Sequence, residues 1–110
     1  MDEDAVFKAL ADPSRRKLLD RLFGRSGQSL GELCVDLQMS RQAISKHLAL
    51  LEKANLVATV KSGRDKLHYL NAVPIYEISE RWIAKYQHSQ LHALDQLKKS
   101  LEGNEKQSNG

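Results

Sequence analysis

The sequence predicts a mainly α fold with one small β-hairpin, and three observations lead there. Apolar residues recur at three- and four-residue steps over most of the chain, the period of an amphipathic helix. Between residues 56 and 70 the pattern changes to β-branched residues and polar–apolar alternation on either side of Ser62-Gly63-Arg64-Asp65, which reads as a hairpin with a polar tip. The 110 residues, 41% apolar and 28% charged, are near globular averages and suffice for one hydrophobic core. We expect one domain over residues 1–101 and a disordered polar tail over 102–110. The same figures exclude collagen-like, low-complexity and wholly disordered chains and argue against a two-domain enzyme.

Each element has its own justification. Val6 and Leu10 lie four apart with Phe7 beside them, a short stripe that needs a partner surface. Asp12-Pro13 starts a second helix: Asp12 can cap it, and Pro13 sits at the first helical position, where its missing N–H costs nothing. Leu18, Leu19 and Leu22 give that helix an inner face up to Gly24. Ser29 and Glu32 have capping-box spacing and open a short helix from Leu30 to about Leu37. Gln38-Met39-Ser40 breaks it, and Ser40 caps a longer helix running to about Ala54. Two helices joined by so short a turn form a helix-turn-helix. After the hairpin strands around 56–60 and 66–70, Ile75, Ile78, Trp82, Ile83, Tyr86, Leu91, Leu94, Leu97 and Leu101 predict one long amphipathic helix past Pro74.

The fourth helix carries the candidate site. At about 100° per residue, Ile44, Leu48 and Leu51 share one narrow arc, which must be core. Arg41, Gln42, Ser45, Lys46, Ala49 and Lys53 fall within an opposite arc of roughly 140°, read as free of acids. Such a face suits a DNA major groove. Arg and Gln bond base edges bidentately, Ser and Lys hold phosphates, and Ala allows close approach or contact with a thymine methyl. His47, at the edge of the apolar arc, reads as a packed or hydrogen-bonded residue. Residues 41–66 hold Arg41, Lys46, Lys53, Lys61, Arg64 and Lys66 against only Glu52 and Asp65, so all of the chain's net charge of +3 belongs to this segment. The hairpin tip, with Lys61, Arg64 and Lys66, can reach backbone phosphates or a minor groove.

Other chemistries find little support. Cys34 is the only cysteine, too few for an internal disulfide, a CxxC pair or a thiolate metal site, and it reads as a small, partly buried hydrophobe in a reducing compartment. An acidic N-terminus and no apolar run of about 18 residues argue for a cytoplasmic protein without a membrane partner. No nucleophile has a base at useful spacing, and there is no glycine-rich phosphate loop or paired-acid motif, so we expect no enzyme.

Phe7-Lys8-Ala9-Leu10-Ala11-Asp12-Pro13-Ser14-Arg15-Arg16, then Leu33, Ser40-Arg41-Gln42-Ala43-Ile44-Ser45-Lys46-His47-Leu48 and Leu51-Glu52-Lys53-Ala54-Asn55-Leu56-Val57 together resemble the ArsR family of bacterial winged helix-turn-helix transcriptional regulators. The likeness spans roughly residues 5–86 and rests on order and spacing as well as on the helix-turn-helix. It implies a homodimer joined through its first and last helices, which represses by occupying a pseudo-palindromic promoter operator. It also implies a recognition helix starting at Ser40, a wing around Gly63 and an interface using Val6, Leu10, Trp82 and Tyr86. A last helix of about 25 residues would span ~38 Å, more than this domain can cover, which independently favours a second subunit.

The segment Glu32-Leu33-Cys34-Val35-Asp36-Leu37 resembles the family's thiolate metal box but keeps one cysteine, and Trp82-Ile83-Ala84-Lys85-Tyr86 resembles the branch lacking recognised metal ligands. The expectation is therefore no metal and no cofactor, with the effector unidentified. Two alternatives stay open: a repressor released by zinc or nickel at His88 and His92, spaced i,i+4 on the last helix, and a winged helix used only for protein interaction.

Overall fold

A computed structural model describes residues 2–87 and 90–108. In chain order the elements are α1 (Glu3–Leu10), α2 (Pro13–Gly24), α3 (Leu30–Leu37), α4 (Arg41–Lys53), β1 (Val57–Ser62), β2 (Asp65–Leu70), α5 (Val73–Gln87) and α6 (Gln90–Ser108). They fall into two compact units, Met1–Tyr76 and Glu77–Gly110.

In the first unit, side chains fix the helix starts. The Asp12 carboxylate accepts from the Ser14 and Arg15 N–H groups at 2.8 and 3.2 Å, with Pro13 at the first position. Ser29 and Glu32 form the complete capping box. Ser40 Oγ accepts from the Ala43 N–H at 3.1 Å. Two α2 arginines bond the last carbonyls of α1: Arg15 donates to Ala9 O (2.8 Å) and to Lys8 O (3.0 Å), which also accepts from the Ala11 N–H, and Arg16 donates to Leu10 O (2.7 Å). Gln38, in a left-handed conformation at φ 53°, ends α3.

The apolar faces meet as the periodicity predicts. Leu18, Leu19 and Leu22 of α2, Leu33 of α3, and Ile44, Leu48 and Leu51 of α4 are buried, together with Leu56 and Val57 leading into β1. Val6 is a correction. It was expected at a subunit interface, yet it is 0% exposed and belongs to this core, whereas Phe7 beside it is 46% exposed. A two-turn helix with apolar residues at consecutive positions has two apolar directions, and α2 and α4 cover the one that holds Val6.

Strands β1 and β2 pair antiparallel from Val57↔Leu70 to Ser62↔Asp65, and Gly63 turns the hairpin at φ 61°. A third backbone segment joins them through the isolated bridge Gln28↔His68.

The second unit holds the remainder of α5 and α6. The long helix expected past Pro74 corresponds to these two helical stretches, Val73–Gln87 and Gln90–Ser108, and residues 88–89 between them lie outside the described residues. Helix α6 continues to Ser108, past the start of the expected tail, through a run containing Glu102, Glu105, Lys106 and Gln107, all good helix formers. Trp82 and Tyr86 stack at 5.5 Å between ring centroids, with Lys85 Nζ over both rings. Leu94, Leu97 and Leu101 are exposed along α6. No helix among the described residues is long and apolar enough to cross a membrane.

Candidate nucleic-acid interface

Helix α4 is oriented by its buried side, Ile44, Leu48 and Leu51, which leaves Arg41, Gln42, Ser45, Lys46 and Ala49 exposed on the other. Arg41, Gln42, Ser45 and Lys46 border one shallow surface with Leu30 of α3. Arg41 Nη1 sits 3.7 Å from where a Cβ on Gly31 would stand, which places the guanidinium over the first turn of α3.

Between α4 and the hairpin runs a cleft. Arg41, Ser45 and Ala49 line it from α4, and Arg64, Asp65 and Lys66 line it from the wing. Most of the expected contact residues therefore come together on one side of the first unit. Ser40 caps α4, and its engaged oxygen leaves the hydroxyl proton free to donate. Lys53 departs from the expected set, because it lines a different concavity with Asp2, Asp4, Lys8 and Arg15.

Glu52 is the residue that the wheel reading passed over. It lines the same cleft near the far end of α4, about three turns along the helix from Arg41, and Lys66 Nζ approaches its Oε1 at 3.2 Å. Its signal was present, since at 100° per residue Glu52 stands only about 20° from Arg41. Among the described residues, Arg41 and Arg64 in the cleft, and Lys46 and Lys61 outside it, have no ion-pair partner, while Asp65 joins Glu52 as a second acid on the cleft wall.

Two further contacts set the frame. His47, half-buried, meets Arg15 Nη1 at 3.4 Å through Nδ1, in line with its expected hydrogen-bonding role. His68, only 4% exposed, uses Nδ1 to donate to Gln28 O at 2.9 Å, while the His68 N–H donates to the same carbonyl. Gln28 is itself fully buried and donates from Nε2 to Arg25 O. These contacts tie β2 to the start of α3, and no spacing in the sequence announced them.

The charges behind the site are fixed by local bonds. Burial raises the Asp12 carboxyl, but the N–H groups of Arg15 and Ser14 and the charges of Arg15 and His47 outweigh it and hold Asp12 below the ordinary value. Hydrogen bonds from Ser29, with the nearby Arg25 guanidinium, hold Glu32 down in the same way. Cys34 is half-buried and free. Among the described residues no group of three or more His, Cys, Asp or Glu side chains could hold a metal ion. His88 lies outside the described residues; His92 Nε2 accepts from Gln96 Nε2 at 3.0 Å.

Comparison with known proteins places this geometry. Residues 10–60 match a helix-turn-helix domain model. The uncharacterized HTH-type transcriptional regulator YuzN of Bacillus subtilis is 40% identical over 88 residues, 74% of this chain and 96% of that protein. A solved ArsR-like transcriptional regulator from a Rhodococcus species superposes with a TM-score of 0.71 at 36% identity, over 88% of this chain and 90% of the other. The chain belongs to the ArsR family of winged helix-turn-helix transcriptional regulators. The transcriptional repressor SdpR of Bacillus subtilis is another relative, 32% identical over 81 residues, 74% of this chain and 88% of that one. As an ArsR-family regulator, the protein has double-stranded DNA as its partner and gene regulation, not catalysis, as its activity.

Proposed function

We propose that the chain is a cytoplasmic repressor that binds a pseudo-palindromic promoter operator as a homodimer. The observation that carries this reading is the side-by-side exposure of Arg41, Gln42, Ser45 and Lys46 on α4, with the basic wing tip across the cleft from Arg41. In this reading α4 enters the major groove, where Arg41 and Gln42 meet base edges, Ser40, Ser45 and Lys46 meet phosphates, and Ala49 allows close approach. Lys61 and Arg64 reach the backbone or the minor groove beside it. The two recognition helices of a dimer would address half-sites roughly one helical turn apart. Trp82, Tyr86 and Leu10, with Phe7 in the place first given to Val6, supply apolar surface for self-association.

The test is binding of the purified protein to the DNA upstream of its own gene across a salt series, with zinc or with a chelator. Tight, sequence-preferring, salt-steep binding that ignores zinc supports a metal-independent repressor. Release by zinc would turn attention to His88 and His92, and salt-independent, weak binding would leave a protein-interaction module. Arg64→Ala should flatten the slope of log affinity against log salt by about one, the signature of one lost phosphate contact.

A further inference from the structure

The wing carries three bases, and one of them is already engaged. Lys66 stands directly across the hairpin from Lys61, a like-charge pair that disfavours the sheet unless something offsets it. Glu52 supplies that offset from another element, with its Oε1 3.2 Å from Lys66 Nζ and its side chain 30% exposed on the wall of the cleft. An acid on a surface that faces phosphates opposes binding unless a cation covers it. Here the covering cation comes from the wing, so the pair spans the cleft between α4 and β2.

Resting on the DNA-binding reading above, we infer that Glu52 and Lys66 form a strut that holds the wing against the recognition helix and keeps Lys66 off the DNA backbone. Glu52 is then a positioning residue with a consequence for specificity. Sequence-independent binding is almost wholly electrostatic, whereas operator binding also draws on base contacts. By cancelling one wing charge, Glu52 weakens attraction to arbitrary DNA and leaves discrimination to Arg41 and Gln42. Lys61 and Arg64 remain the wing's phosphate contacts.

The test uses a random-sequence duplex of about 30 base pairs, so no operator need be known, and follows affinity from 50 to 200 mM salt for the full-length wild type, E52Q and the double variant E52Q/K66M. Both side chains are partly exposed, so the variants leave the core intact, and thermal unfolding checks this. E52Q should bind the duplex more tightly at low salt and steepen the salt slope by about one, which widens the affinity ratio across that range about three- to four-fold. The double variant should return to the wild-type slope. If Lys66 instead grips a phosphate directly, E52Q leaves the slope unchanged and the double variant flattens it by about one; that result overturns the strut. Failure of the wild type itself to bind the duplex at low salt would overturn the DNA-binding reading and the strut with it, a pattern distinct from binding with an unmoved slope.

Discussion

Asp12 and Glu32 are held as anions by the helix starts they serve, and this makes them acid sensors of the fold. Both carboxyls lie below their ordinary values of 3.8 and 4.5, so the folded chain takes up protons less readily than the unfolded one. Their contribution is complete above the unfolded values and is lost as pH falls through the lower folded ones. The urea midpoint should therefore drop as pH falls below about 5. In Asp12→Asn/Glu32→Gln it should start lower at about pH 6 and fall less over the acid range. An acid limb of unchanged steepness in that variant would place the sensing groups elsewhere. The capping role of Asp12 could be read from Asp12-Pro13 alone, because a cap acts within three residues of its own position. The roles of Arg15 and Arg16 could not, since their acceptors, Lys8, Ala9 and Leu10, are backbone carbonyls of the preceding helix.

Two glycines at the ends of backbone segments differ in what surrounds them. Gly63, at φ 61°, has open space where a Cβ would stand, so Gly63→Ala should cost only the left-handed conformation, about 1–2 kcal/mol. Gly27, at φ 77°, would place a Cβ 3.1 Å from the Tyr69 hydroxyl, which must also move. Gly27→Ala should thus destabilise more than Gly63→Ala in urea unfolding; equal costs would mean that the Tyr69 ring swings aside freely. Helices α2, α3 and α4 were readable almost to the residue because Asp12, Ser29 and Ser40 mark their starts and Gly24 and Gln38 their ends. Helix α1 has no such second signal for direction. Neighbouring Val6 and Phe7 are equally apolar, and only the packing of α2 and α4 decides which is buried. Glu52 was hidden for a related reason: its partner Lys66 comes from another element, and a single-helix wheel shows no neighbours.

Self-association belongs to the whole molecule, and here the sequence pattern reaches its limit. An apolar stripe at helical spacing looks the same whether its own chain or a second copy covers it. Trp82, 45% exposed, remains a large aromatic surface with Tyr86 stacked against it. In the proposed homodimer, Trp82→Ala should raise the dissociation constant about tenfold or more, read by analytical ultracentrifugation, and weaken binding to the proposed operator in parallel. A variant that stayed a tight dimer would remove Trp82 from the interface.

The bridge between Gln28 and His68 has a topological meaning for the DNA-binding half. These residues are 40 positions apart, and three hydrogen bonds at 2.9 Å between residues 27–28 and 68 stitch them together. Helix α3, the turn, α4 and β1 therefore lie inside a closed loop. Closing a loop costs entropy that grows only with the logarithm of its length, so a residue added in the α3–α4 turn changes that cost little. A fragment cut after residue 28 would lose this closure altogether: α4 would stay joined to β1 through Ala54–Leu56, but the start of α3 would no longer be pinned to β2.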